Sequence, residues 1–359
     1  MILAGVTLSL VLDNNGIIQK TKDARDQYGQ ARENEQKELE NVSDWIDDTV
    51  GVVNWDKILD EAEKNPNNYK HPDQSDENGD IGIGTDGKPV NLDLWVYSIV
   101  NTNEIHLGAA KGSCITPGYN NNNIVDGKII GTVPQYIKID GKDEFYPVTD
   151  FGAAFLHCDK LVIAPKIPET VKTMYNDYYN YAAFSGCTKL EVAPIIPEGV
   201  INMNYAFCNC TSLITAPTMP SSVTTMKGTF YGCTSLEKTP KMLNGVTDMY
   251  ETFRNCTSLT TIQNIPSSVT RLNRTFWGCT CLTTVPAILA SVTDLECAFW
   301  NCTNLTGNLI INASPTSYSC CLNNAATADD ANLVVSGSST VLDEIIATKS
   351  DNSHITKGN

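Results

Sequence analysis

Between Val148 and Leu305 the apolar positions of the chain recur with one spacing. Phe155, Phe184, Phe207, Phe230, Phe253, Phe276 and Phe299 are each followed by a cysteine three positions on and a leucine six positions on. Successive copies lie 29, 23, 23, 23, 23 and 23 residues apart. Alignment adds four apolar slots, Ala164, Ile167, Val171 and Met174 in the first copy and Ile262, Ile265, Val269 and Leu272 in the fifth. A unit of this size cannot bury its own apolar face, so the copies must stack, and each inward position becomes a ladder of like side chains. Prolines in two registers, such as Pro165 and Pro168, mark the corners where strands end. Threonine after cysteine is expected to bond within its own turn. The single 29-residue step reflects an insertion of about six residues, Tyr175 to Asn180.

Outside the repeats the pattern changes twice. From residue 81 to 147, β-branched or alternating runs are punctuated by Asp86-Gly87, Asp126-Gly127 and Asp140-Gly141. Asp-Gly suits the two positive-φ positions of a hairpin turn, so strands are expected at Leu92–Val100, Glu104–Leu107, Lys128–Thr132 and Gln135–Ile139. Tyr119 to Asn123 reads as an exposed loop. This β region is expected to cap the open first coil. Upstream, residues 2 to 12 form an apolar run about half as long as the ~20 residues that cross a bilayer. Residues 17 to 48 lack proline and carry mixed charge, which predicts an exposed helix, and a second helix is expected from Asn54 to before Pro66. After Leu305 the repeat decays, with Leu322 and Ala325 as a degenerate eighth copy.

The expected fold class is a β-rich solenoid of about 23-residue period and seven to eight coils, preceded by a helical segment and a small antiparallel β cap. The boundaries read as 1–12 anchor remnant, 13–64 helical stalk, 65–80 linker, 81–147 cap, 148–311 solenoid, 312–347 degenerate repeat and C-terminal cap, and 348–359 polar, frayed tail.

Two resemblances follow from these residues. Ile2-Leu-Ala-Gly-Val-Thr7, then Asn15-Gly-Ile-Ile18 and a charged stretch, resembles the start of pilin-like surface proteins of Gram-positive gut bacteria. That likeness implies that Met1 lies inside a shortened membrane anchor. Phe230-Tyr-Gly-Cys-Thr-Ser-Leu236 with Ile265-Pro-Ser-Ser-Val269 resembles the BspA-like leucine-rich repeat. This second likeness spans about residues 148 to 311 and implies a solenoid on a bacterial cell surface, used for adhesion to host proteins or other cells. Proline after the short strand and a cysteine kept in every copy depart from the usual pattern.

Charge narrows the partners. The 41 acidic and 25 basic residues give −16, which repels phosphate backbones and disfavours nucleic acid. Of 13 cysteines, seven occupy one repeat position, so most are expected to be free, buried thiols. No phosphate loop, His-x-x-x-His or zinc-spaced Cys-x-x-Cys is present; neither catalysis, cofactor nor metal is expected.

Recognition is expected instead on departures from the repeat. The two residues after each leucine point outward, offering Glu191, Thr215, Glu237, Lys238, Thr261 and Thr284 as candidate contacts. The insertion adds Tyr175, Tyr178, Tyr179 and Tyr181, a residue type enriched at interfaces. The expected role is non-catalytic binding of an unknown protein or glycan at the cell surface. The alternative is an assembly component that self-associates through the N-terminal helix.

Overall fold

The computed structural model describes residues 80–358, except 101–103, 112–113, 131, 140–143 and 177–180. The expected anchor remnant, helical stalk and residues 65–79 of the linker lie outside the described residues.

The cap is a six-stranded sheet in the order Pro89–Val90, Ile81–Gly84, Pro134–Lys138, Phe145–Asp150, Glu104–Leu107, Tyr97–Val100. All neighbours are antiparallel except Phe145–Asp150 and Glu104–Leu107, which run parallel with Val148 opposite Ile105. Phe145–Asp150 crosses the boundary expected at residue 147. Its end, Asp150, also bridges in parallel to Thr173, so one strand passes from the cap's pairing to the solenoid's. Asp126-Gly127 forms the expected hairpin turn, with φ of 49° and 76° between Ile124–Val125 and Lys128–Ile129.

Two expectations for the cap are corrected. The strand expected from Leu92 starts only at Tyr97, because Asn91 accepts the Asp93 N–H and winds Leu92–Leu94 into a 3-10 turn. The loop expected at Tyr119–Asn123 is anchored, since Tyr119 is wholly buried and accepts the Ile130 N–H at 2.8 Å. Its ring sits 4.8 Å from Trp95 and 5.8 Å from Phe155, measured between centroids. The open end of the phenylalanine ladder requires aromatic cover, and Tyr119 can supply it because its hydroxyl finds backbone partners.

In the coils the phenylalanines stack face to face from Phe155 to Phe299 at 5.2 to 5.9 Å, with planes within 6°. Beside them the ladder thiols donate to carbonyls of the preceding coil: Cys187 to Phe155 O, Cys256 to Phe230 O and Cys302 to Phe276 O, each at 3.0 Å. That bond adds a second donor to a carbonyl that already takes a backbone N–H, as Phe230 O takes that of Cys233 at 3.1 Å, and gives cysteine a reason to recur. The threonines after cysteine also bond across coils rather than within their own turn. Thr211 donates to Thr188 O at 3.1 Å, 23 residues back.

Regular strand within the coils shrinks to single parallel bridges, arranged in two ladders. The rest is turn, with the residue two past each phenylalanine in the left-handed region. There Gly186, Gly232 and Gly278 alternate with Asn209, Asn255 and Asn301, at φ from 58° to 77°. A Cβ on Gly232 would lie 2.3 Å from Asn209 Oδ1 and one on Gly278 2.4 Å from Asn255 Oδ1, so these glycines make room for the asparagine of the coil before, as Gly186 does for His157.

Leu322 and Ala325 fill the phenylalanine and cysteine positions of an eighth coil, both fully buried. A parallel sheet of Gly307–Ile310, Leu333–Ser336 and Ile355–Lys357 follows, with the helix Leu342–Ile346 between its last two strands. The stretch expected to fray from Thr348 is therefore structured. Ile355 is buried and pairs opposite Leu333, completing the sheet.

Candidate binding surface

The first bridge ladder carries the outward positions read from the sequence. Thr215, Lys238, Thr261 and Thr284 are joined rung to rung, and Ile163 bridges Val192. Glu191, Thr215, Glu237, Lys238, Thr261 and Thr284 are all exposed. The strip changes character along the stack: Ile163, Val192 and Ile214 are exposed and apolar, Glu237 and Lys238 are charged, and Thr260, Thr261, Thr283 and Thr284 follow. Thr260 and Thr283 donate to the carbonyls of Glu237 and Thr260, which ties this face together.

Where the apolar and charged parts meet, the structure forms a groove of about 220 Å³ lined by Ile214, Thr215, Ala216, Glu237, Lys238, Thr239, Pro240 and Gln263. Three of the sequence-predicted residues, Thr215, Glu237 and Lys238, thus come together. Among the described residues neither Glu237 nor Lys238 has an ion-pair partner. Thr261 and Thr284 lie on the same ladder outside the groove, and Glu191 lies one coil before Ile214.

The tyrosine cluster divides differently. Tyr175–Asn176 pairs antiparallel with Tyr181–Ala182, which ties the two ends of this stretch together. Tyr175 is only 7% exposed and packs 5.8 Å from Tyr205, which makes it part of the scaffold rather than a free contact. Tyr181 is half-buried; Tyr178 and Tyr179 lie outside the described residues.

The second ladder was missed from the sequence. It runs Asp150, Thr173, Asn202, Thr225, Asp248, Arg271, Asp294, Ser317. Arg271 lies between Asp248 and Asp294, at 3.4 and 3.3 Å. Beside this ladder, Glu251, 8% exposed, takes Arg254 at 2.5 Å and Arg274 at 3.7 Å, and Arg274 reaches Glu296 at 3.6 Å. The Arg254 guanidinium lies 4.3 Å from the centre of Trp277, whose other neighbour, Trp300, stacks at 4.4 Å. All three arginines after residue 80 are on this face. The signal was available, since stepping by 23 from Asp248 gives Arg271 and then Asp294. Because these charges satisfy one another along the stack, the face serves cohesion before recognition.

The column two before each phenylalanine from Phe207 to Phe299, continued before Leu322, is unusual. Tyr205, Gly228, Glu251, Arg274, Cys297 and Cys320 all have φ between 52° and 55°, a region costly to residues with a Cβ. A Cβ on Gly228 would meet the Tyr205 ring at 2.2 Å, so this glycine is required by its neighbour as well as by its backbone. Burial pushes the Tyr205 hydroxyl up to about 12, with nearby Glu251 adding to it.

Burial likewise drives the ladder thiols Cys210, Cys256 and Cys302 well above the ordinary thiol range, so they are poor nucleophiles. No group of three or more potential metal ligands occurs among the described residues. Among the same residues no helix is long and apolar enough to cross a membrane.

The model of the BspA type leucine rich repeat region matches residues 152–283 and 241–327, in six copies. A leucine-rich repeat protein of T. pallidum is similar at 21% identity over 62% of this chain and 85% of its own, with a TM-score of 0.37. One from Bacteroides ovatus is 18% identical, covering 74% and 99%, with a TM-score of 0.23. A leucine rich cell surface protein from Faecalibacterium prausnitzii is 17% identical, covering 74% and 92%, with a TM-score of 0.30. No curated protein matches. The family model covers the coils in which phenylalanine, cysteine and leucine form the inner ladders: through residues 152–327 the chain belongs to the BspA-type leucine-rich repeat family.

Proposed function

We propose that the protein is a non-catalytic cell-surface binding protein that presents its solenoid to a protein or glycan ligand. One observation carries this reading: the groove on the first ladder places an exposed apolar edge, Ile214, beside the unpaired charges of Glu237 and Lys238. Exposed unpaired charge next to exposed apolar surface on a scaffold held by coil-to-coil bonds is ready to bind with little ordering cost. The family match supports a repeat module and indicates no enzyme family. The cell-surface location is supported by what the family implies, and attachment through the N-terminal segment is part of the proposal.

The test is binding of the full chain to a glycan array and to a panel of immobilised serum and matrix proteins. A retained ligand whose affinity falls at least tenfold in the triple variant Ile214→Ala, Glu237→Ala, Lys238→Ala, about 1.4 kcal/mol or more, supports the reading. Absence of any ligand, or an affinity the variant leaves intact, sinks it.

A further inference from the structure

Of the thirteen cysteines, seven repeat on the inner ladder and two more repeat in one column off it. The seven ladder thiols are buried; six are tied to a phenylalanine carbonyl of the coil before and Cys158 to Tyr119 O of the cap. Off the ladder, Cys208 and Cys281 have no thiol one coil away: the residues 23 positions to either side are Ser185 and Tyr231 for the first, Ser258 and Asn304 for the second. Cys297 and Cys320 differ, being 23 residues apart and in the same column of adjacent coils.

Their geometry is matched. Both adopt the left-handed turn conformation, at φ of 52° and 55°, so their Cα–Cβ bonds leave the backbone in parallel. The Cys297 N–H donates to Ser319 O at 2.8 Å, which fixes the two turns in register. After burial, the Cys320 side chain is the strongest influence raising the Cys297 thiol. Neighbouring hydrogen-bonded chains lie about 4.8 Å apart, within the roughly 4.4 to 6.8 Å Cα separation that a disulfide spans. Cys297 is buried, and Cys320 is half-buried and open to a reagent.

We infer that Cys297 and Cys320 form a redox-responsive pair whose oxidation staples the last regular coil to the eighth. A low-molecular-weight disulfide, RSSR, is the oxidant. The Cys320 thiolate attacks one of its sulfurs and RSH leaves; Cys297 then gives up its proton and displaces the second RSH. The sum is two protein thiols plus RSSR giving one protein disulfide plus two RSH, with the electron pair passing to the small molecule. Burial holds the Cys297 thiol up at about 11, so the second displacement is slow near neutrality and accelerates as the solution becomes alkaline.

The test treats the reduced full chain with glutathione disulfide at mildly alkaline pH, alkylates it in denaturant and maps the peptides. Exposed Cys281 reports that the reagent has acted, by carrying glutathione. The expected result is one linked Cys297–Cys320 peptide, absent in Cys297→Ser and in Cys320→Ser, kept in Cys281→Ser, and reduced at least tenfold in yield when oxidation is run on the unfolded chain. The inference is overturned if Cys281 is modified while Cys320 carries glutathione beside a free Cys297, if both thiols stay free, or if other pairs link instead.

Discussion

The inner phenylalanine ladder and the outer column two residues before it occupy the same turns and follow opposite rules. Inside, one residue type recurs because each ring packs between its own equivalents, as Phe230 does between Phe207 and Phe253 at 5.7 and 5.6 Å. A change in one rung leaves a void that the coils on both sides cannot close. Outside, Tyr, Gly, Glu, Arg and Cys succeed one another in a single backbone conformation. There the side chains meet different neighbours, as Glu251 meets Arg254 and Arg274. The period thus imposes identity where contact is self-to-self and only backbone geometry where it is not.

The comparison breaks most sharply at Phe230→Ala, which removes two stacking faces from a close-packed interior. Denaturant unfolding should show a loss of about 3 to 5 kcal/mol; a loss under 1 would mean the rungs are independent. Glu251→Ala comes next, since it leaves Arg254 and Arg274 short of their shared carboxylate, and about 2 kcal/mol is expected after allowing for partial solvation. Glu251→Gly removes the same carboxylate but relieves the left-handed backbone, so it should be about 1 kcal/mol more stable than the alanine variant. Equal stabilities would show that the backbone in this column stores no strain.

The ladder thiols sharpen the contrast further. Cys256→Ala loses a buried sulfur and its bond to Phe230 O, and should cost about 1 to 2 kcal/mol. Cys281→Ala, exposed and off the ladder, should stay within about 0.5. The smallest effect concerns pH. Tyr205 keeps its proton in the folded chain to about 12, whereas unfolded tyrosine loses it near 10. The folded state therefore binds more protons in that window, and stability contributed below pH 10 is lost as pH rises toward 12. Ultraviolet titration of tyrosinate should show late-ionising tyrosines, reduced by one group in Tyr205→Phe.

The number of coils, their inward positions and the outward strip containing Thr215, Glu237 and Lys238 were legible in the sequence. A period of 23 with fixed apolar slots states which residues must meet their own copies. Legible too, though missed, was the alternation of Asp248, Arg271 and Asp294, hidden because each reads as an ordinary polar residue within its own copy. The buried Tyr119 and the ordered Ile355 were not legible. Each lies outside the repeat, where the partner comes from a distant segment and no period announces it.

By itself, then, the sequence determined that the chain stacks and what fills the stack, because periodic apolar spacing has one way to be buried. Only the tertiary structure decided how the ends are sealed and which outward residues share a groove. Those depend on register between coils and on the turn conformation, through hydrogen bonds between backbone groups that are chemically alike in every residue except proline.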